Sequence, residues 1–123
     1  MNIVRGLLLA ALIPACGVAQ AIDRDDAQLE LAQATTAVQA AERDDAARYA
    51  PADLAEAHVM LDNALHAADV RAWRDVAVYS ERAKVDGDLA SARSRQHRAE
   101  ASTAEIQRGL DALQAGTPTG GAP

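Results

Sequence analysis

Small apolar residues recur at steps of three and four along nearly the whole chain after residue 22. This spacing places them on one face of an α-helix. The chain has no Phe, and aromatic residues make up only 2% of it, so a core of large side chains is not available. Alanine, the strongest helix former, takes their place. The pattern predicts an all-α protein whose helices pack closely along extended contacts.

The spacing divides into three predicted helices, and Pro51 separates the first from the second. The first covers residues 23–48, and its apolar row is Ala27, Leu31, Ala34, Val38 and Ala41. Proline lacks a backbone donor and favours the first turn of a helix, so the second helix is predicted over residues 51–68. A turn at residues 69–71 follows it. One face of the second predicted helix carries an apolar row of Leu54, Leu61, Leu65 and Ala68, with Ala57, Met60 and Ala64 beside it.

The third predicted helix is the longest and covers residues 72–114, before Gly116. One face carries a row of mostly small residues, namely Val76, Ala83, Gly87, Ala90, Ser94, His97, Ala101 and Ala104. Glycine costs a helix about 1 kcal/mol relative to alanine, so we expect Gly87 to permit the close approach of another backbone. Near the end of this helix, Ile106, Leu110 and Leu113 form a second apolar stripe, which is a candidate interaction surface.

Two architectures fit these lengths. In the first, an antiparallel three-helix bundle runs up, down and up, and much of the third helix projects from it. In the second, a long coiled-coil-like hairpin forms because the first two helices run nearly collinear through Pro51 and back the whole third helix. We favour the first architecture, because proline is commoner at the start of a helix than within one.

The first 21 residues have the order of a secretory signal peptide. A basic start at Arg5 precedes an apolar run over residues 6–13, and Ala19-Gln20-Ala21 is a small-residue cleavage signal. The run is far shorter than the roughly 20 residues that span a bilayer. We therefore expect removal of residues 1–21 and a helical domain over residues 22–116 in the periplasm of a Gram-negative bacterium.

Cys16 offers an alternative form of processing. Ile13-Pro14-Ala15-Cys16 resembles a lipobox, in which a signal of residues 1–15 is removed and the cysteine is lipidated. Pro14 departs from that pattern, so soluble export is favoured. Lipidation would anchor the protein to the inner or outer membrane, facing the periplasm, and a membrane is expected as a partner only in that case. Cys16 is the only cysteine, so an internal disulfide is excluded.

The net charge of the chain argues against two classes of binding partner. The formal net charge is −6, which argues against nucleic acid, because its binding depends on Lys and Arg meeting phosphates. It also argues against simple electrostatic attraction to anionic lipid. Residues 117–123 are rich in Gly, Pro and Thr, and we predict a disordered tail there.

Two segments carry a resemblance to a known family. Residues 49–57 read Tyr-Ala-Pro-Ala-Asp-Leu-Ala-Glu-Ala, and Ser80-Glu81-Arg82-Ala83 is followed by Asp86 and Leu89-Ala90. Together they resemble the "domain of unknown function 4398" family of helical bacterial envelope proteins, over residues 31–101. The resemblance implies export and supplies no catalytic residues. Some members of that family continue into a peptidoglycan-binding domain, but the Gly/Pro tail does not resemble one, so peptidoglycan binding is not expected.

The chain departs from the family pattern at two places. Asp69-Val70-Arg71-Ala72-Trp73 stands where the family usually has a Gly-Asp-Tyr-like turn, and Gly87 stands where alanine is usual.

His58, Asp62 and His66 are the candidate metal ligands. They lie at steps of four on the second predicted helix, so they share one stripe of its surface. Imidazole and carboxylate groups bind zinc, nickel or copper, but the outer two residues lie about 12 Å apart along the axis. Consecutive pairs rather than one compact triad would result, and we favour a solvated polar face over a metal site.

Arg93 and Arg95 belong to a basic cluster on the third predicted helix, together with Arg82, Lys84 and Arg98. One interpretation is a docking site for a phosphate-bearing envelope polymer or an acidic partner. The other is pairing within the chain, with Glu81, Asp86, Asp88, Glu100 and the acidic first helix. We favour the second interpretation.

Tyr49 and Trp73 lie beside predicted turns. Each could stack on a ligand, but we favour a structural role in filling the open ends of an alanine-rich bundle. The sequence offers no Ser/His/Asp arrangement, paired-carboxylate cleft or phosphate-binding glycine loop, so we expect neither an enzyme nor a cofactor. We expect a structural or interaction protein that binds another envelope protein or itself. The alternative is a periplasmic metal- or small-ligand-binding module that uses the second helix.

Overall fold

The computed structural model describes residues 23–116, which form four helices and no strand. They are α1 (Arg24–Arg43), α2 (Ala46–Tyr49), α3 (Pro51–Asp69) and α4 (Trp73–Gly116). The prediction of an all-α fold is confirmed. The predicted signal peptide with Ala19, Ala21 and Cys16, and the predicted tail at 117–123, lie outside the described residues.

The three long helices run up, down and up. The start of α1 meets the start of α4, where the Arg24 guanidinium lies 5.5 Å from the centre of the Trp73 ring. Farther along both helices, Lys84 Nζ donates to Gln33 Oε1 at 3.0 Å, so α1 and α4 are parallel. The start of α3 lies beside a later part of α4 through an Arg93–Asp53 ion pair, so α3 is antiparallel to both. The alternative with α1 and α3 collinear therefore does not occur.

The core contains almost only small side chains. Of the residues that the structure describes, the largest fully buried side chains are those of Val38, Val76, Ser80 and Ser94. Alanines supply most of the remaining core, including Ala27, Ala34, Ala41, Ala57, Ala64, Ala83 and Ala90. The helices therefore bury little apolar area per residue and depend on close backbone contact instead.

Gly87 marks a close approach of α1 to α4. A Cβ atom added at this position would lie 3.0 Å from the Ala37 carbonyl carbon and 3.0 Å from the Val38 backbone nitrogen. Those atoms belong to the backbone of a helix and cannot rotate away. Any side chain at residue 87 would therefore push the two helices apart.

The connections follow from residues with suitable backbone preferences. Pro51 begins α3 at its first turn, as predicted. The predicted turn after α3 is also present, and Arg71 adopts the left-handed region there with φ 59°. Trp73 then begins α4, half-buried against the cluster of Ala27, Ala67 and Val76. This position agrees with the predicted role of Trp73 at an open end of the bundle.

The first predicted helix differs from the structure. Instead of one helix over residues 23–48, α1 ends at Arg43 and the single turn α2 follows. Asp45 lies between them in the left-handed region, with φ 62°. Aspartate tolerates this region better than most residues and competes with helical hydrogen bonds, so the Asp44-Asp45 pair interrupts the helix.

Two other expectations about burial also need correction. Leu65, which lies on the predicted apolar row of α3, is exposed, and the residues that α3 buries are Leu54, Ala57, Ala64 and Ala67. The small-residue row of α4 is buried only as far as Ser94, and His97, Ala101 and Ala104 are exposed. The two results have different causes. The close approach of the helices favours the smaller Ala64 over Leu65, whereas α1 and α3 are too short to cover more than half of α4.

Substitution of Gly87 tests the close approach. Gly87→Ala improves intrinsic helix propensity, yet we expect it to lower the free energy of unfolding by about 1–3 kcal/mol, because overpacking outweighs propensity here. The matched control is Gly109→Ala, because an added Cβ there meets nothing within 4 Å. Urea denaturation should leave Gly109→Ala unchanged or more stable. An equal gain in stability for both variants would contradict the packing described here.

Candidate functional site

The bundle ends at a polar cluster around Asp44, just after α1. Ser91 donates a hydrogen bond to the Asp44 carboxylate, and Ser94 donates one to the Asp44 carbonyl oxygen. Arg95 Nε lies 3.1 Å from Asp44 Oδ2. The cluster therefore ties the end of α1 to the point where α4 leaves the bundle.

Two neighbouring ion pairs extend this cluster. Arg93 contacts Asp53 Oδ1 at 2.5 Å, and Arg98 contacts Asp45 Oδ2 at 3.7 Å. Arg93 and Arg95, predicted as candidate docking residues, are thus both engaged within the chain. Their partners are acids beside α1 and α3, which agrees with the favoured interpretation of pairing within the chain.

The pKa of the Asp44 carboxyl lies below its ordinary value of 3.8. The hydrogen bond from Ser91 is the main cause, and the positive charges of Arg95 and Arg98 add to it. Together they outweigh the opposing effect of partial burial. The ionised form of Asp44 is therefore the one that the folded bundle favours.

The candidate metal ligands do not converge. His58 Nε2 lies 3.0 Å from Glu42 Oε1, across the gap between α3 and α1. Asp62 and His66 are exposed farther along α3. Within residues 23–116, no three His, Cys, Asp or Glu side chains lie together in a way that could hold a metal ion. The metal-binding alternative therefore rests on sequence spacing alone.

Tyr49 lies half-buried in the short helix α2, and the Arg48 guanidinium is 5.0 Å from the centre of its ring. Its position next to Ala50 and Pro51 places it at the end of the bundle opposite Trp73. The two aromatic residues thus lie at opposite ends, and neither is part of a shared ligand site.

The second half of α4 is the most exposed part of the described chain. α4 has 44 residues and a length of about 66 Å at 1.5 Å per residue. From Arg95 to Gly116, which is half of it, every residue is exposed. We call residues 95–116 the α4 extension. Among the helices within 23–116, none has the length and apolar character needed to cross a bilayer.

The apolar stripe predicted near the end of α4 lies on this extension. Ile106 is 65% exposed, and Leu110 and Leu113 are exposed beside it. Isolated exposed leucines are ordinary on protein surfaces, but a row of them on a helix that has left its bundle is a candidate interface. The sequence predicted this stripe, whereas the Asp44 cluster was missed. The acidic pair Asp44-Asp45 opposite the basic cluster was the available signal.

Comparison with known families identifies the family of the chain. Residues 29–106 match the family described as Domain of unknown function (DUF4398). The chain belongs to this family. The match includes α1 from Leu29, all of α2 and α3, and α4 as far as Ile106. It therefore covers most of the bundle and the first part of the α4 extension. The resemblance noted for the Tyr49–Ala57 segment is thereby confirmed.

No curated protein and no solved structure matches the chain. Membership in the DUF4398 family identifies the domain and assigns it no biochemical role.

The Asp44 cluster makes stability depend on pH. Because the folded state lowers the pKa of Asp44, its contribution to stability is present above pH 3.8 and is lost as the pH falls through and below that value. We expect Asp44→Asn to reduce the drop in urea midpoint between pH 6 and pH 3. Asp62→Asn, a change at an exposed carboxyl on α3, is the control. Identical pH profiles for wild type and Asp44→Asn would contradict this role.

Proposed function

We propose that this DUF4398 protein is exported to the bacterial envelope and acts there as a non-enzymatic interaction protein. Its binding surface is the α4 extension, which receives a helix from another envelope protein or from a second copy. The observation that carries the proposal is the exposure of Ile106 and Leu110 on a helix that continues far beyond its own bundle.

The geometry of the extension supports a helix as the bound element. Ile106, Leu110 and Leu113 are spaced by four and three, which is the spacing of one helical stripe. Most helical stability in proteins comes from packing of an apolar face, and the α4 extension, whose residues are all exposed, lacks such packing within the bundle. A partner on this stripe would therefore stabilise the extension as well as bind it.

Export is supported by the sequence alone. The order of basic start, apolar run and Ala19-Gln20-Ala21 is that of a signal peptide, and Cys16 offers lipidation as the alternative. Both forms of processing place the helices on the same side of the inner membrane. The proposal therefore holds for a diffusible protein and for a tethered one.

The same experiment can test both parts of this proposal. The full chain, with a photoreactive amino acid at Ile106, is expressed in a Gram-negative host and irradiated in intact cells. Envelope and cytosolic fractions are then analysed by intact mass. We expect a mature chain beginning at Ile22 or at acylated Cys16, and a discrete crosslinked adduct.

The controls use the same chain. The adduct should disappear in Leu110→Glu, which changes an exposed side chain, and should not form with the photoreactive group at exposed Val59 on α3. An unprocessed chain confined to the cytosol would contradict export. Equal adducts from Ile106 and Val59, or an adduct that survives Leu110→Glu, would contradict the binding surface.

A further inference from the structure

α4 carries a second row of residues on the side away from the bundle. The residues that α4 buries in the bundle follow a repeat of four and three and include Val76, Ser80, Ala83, Gly87, Ala90 and Ser94. Advancing each position by two residues turns about 200° around the helix, since one turn takes 3.6 residues. The row that begins at Val78 therefore lies nearly opposite the buried one. We call it the outer row.

The outer row keeps a strict seven-residue repeat along almost the whole helix. Every seventh residue from 78 to 113 is apolar and exposed, and these are Val78, Val85, Ala92, Ala99, Ile106 and Leu113. Between them lie Arg82, Leu89, Gln96, Thr103 and Leu110, of which the two leucines are exposed as well. A coiled coil has two core positions in each heptad, with charged residues beside them. Here one core position is apolar throughout, and the other is apolar at Leu89 and Leu110.

The outer row continues from the bundle into the α4 extension. Its first half runs along the back of the bundle, where Val85 is 58% exposed, and its second half is the apolar stripe of the α4 extension. It spans about 53 Å from residue 78 to residue 113. A partner that fits the whole row must present a helix of similar length with the same repeat.

We propose that the occupant of the outer row is a second copy of this chain, and that the two α4 helices pair in parallel and in register as a two-stranded coiled coil. This inference rests on the proposed function and deepens it by naming the partner. Within residues 23–116, only α4 is long enough to match the row, because α1 and α3 have 20 and 19 residues.

The charges that flank the outer row favour the parallel arrangement. In a parallel coiled coil, the residue that precedes Arg82, Leu89 or Gln96 on one helix faces the residue five places further along the other helix. Asp88 then faces Arg93 of the second copy, and Arg95 faces Glu100 of the second copy. Because the pair has two-fold symmetry, each contact occurs twice. The one unfavourable pair is Glu81 with Asp86.

At full overlap, the antiparallel arrangement has poorer charge complementarity than the parallel one. In the alignment with the greatest overlap, Gln96 lies opposite Ala92 of the second copy. The flanking rows then bring Arg95 opposite Arg95, and Asp86 opposite Glu100, so like charges meet. These repulsions select against an antiparallel pair at full overlap. An antiparallel pair shifted by one heptad avoids them, but it places either Val78, or Leu110 and Leu113, beyond the end of the other α4.

The contacts already made within the bundle are compatible with the parallel pair. Arg93 is bound to Asp53 and Arg95 to Asp44, but a guanidinium has five donors and can bind a second carboxylate. Gln96 meets its own counterpart across the interface, and an amide pair at a core position fixes the register. Arg82 meets its counterpart too, which is a cost that limits the affinity.

Sedimentation equilibrium of the purified protein tests the inference. We expect the mass to rise with concentration towards that of two chains. Val85→Glu and Ile106→Glu, one in each half of the outer row, should each raise the dissociation constant at least tenfold. Leu29→Glu on α1 and Val59→Glu on α3 are the matched controls, since Leu29 is 58% and Val59 is 50% exposed, and they should change it less than twofold.

Single cysteines test the orientation, in a Cys16→Ser background. Parallel pairing in register places the two Thr103 positions opposite each other, so Thr103→Cys should form a disulfide-linked dimer on oxidation. Arg108→Cys, on the far side of α4 from the outer row, should not. A dimer in which Thr103→Cys fails to crosslink would overturn the parallel arrangement.

The outcomes distinguish a failure of this inference from a failure of the proposed function. A protein that is monomeric at every concentration, or a dimer that Val85→Glu and Ile106→Glu leave intact, overturns the inference. If such a monomer still gives an Ile106-dependent adduct with another protein in cells, the α4 extension remains a binding surface for a different partner. Circular dichroism of each variant confirms that the helices are formed.

Discussion

The close contact of α1 with α4 at Gly87 is the constraint on which the rest of the fold depends. With no large side chain fully buried among residues 23–116, the core gains its cohesion from many short contacts between backbones and methyl groups. Such contacts exist only while the helix axes stay close. Gly87 sets that distance, because the backbone of Ala37 and Val38 occupies the space where its Cβ would be.

The lengths of α1 and α3 determine where the bundle ends. α1 and α3 can accompany α4 over only about 30 Å of its length at 1.5 Å per residue, so the buried row of α4 stops at Ser94. There, polar contacts replace apolar packing, and Asp44 is held by Ser91, Ser94 and Arg95. The cluster fixes the end of α1 against α4, and the α4 extension begins at that point.

Much of this arrangement could be predicted from the sequence. The apolar spacing predicted the helices. Pro51 and the turn at residues 69–71 predicted the connections, and the helix lengths predicted a projecting third helix. The residues around Tyr49 and Pro51 pointed to the DUF4398 family. These features are local, or depend on strong backbone preferences of single residues, and such features survive in the fold.

The features that escaped prediction depend on how helices pair. Leu65 lies on a regular apolar stripe, yet the smaller Ala64 is buried instead, because closely packed helices favour small residues at their contact. Asp45 interrupts the first helix through a left-handed backbone that helix propensity alone does not reveal. Two heptad rows coexist on α4, and the sequence cannot show which of them faces the bundle until the partners of α4 are known.

Hydrogen exchange resolved along α4, at low and high protein concentration, tests most directly whether one helix serves both a bundle and an interface. Residues 76–94 should exchange slowly at both concentrations, since α1 and α3 cover them. Residues 96–113 should exchange rapidly when dilute and slowly when concentrated, because a second helix then covers the outer row. Rapid exchange of residues 96–113 at both concentrations would contradict a role for the α4 extension in self-association.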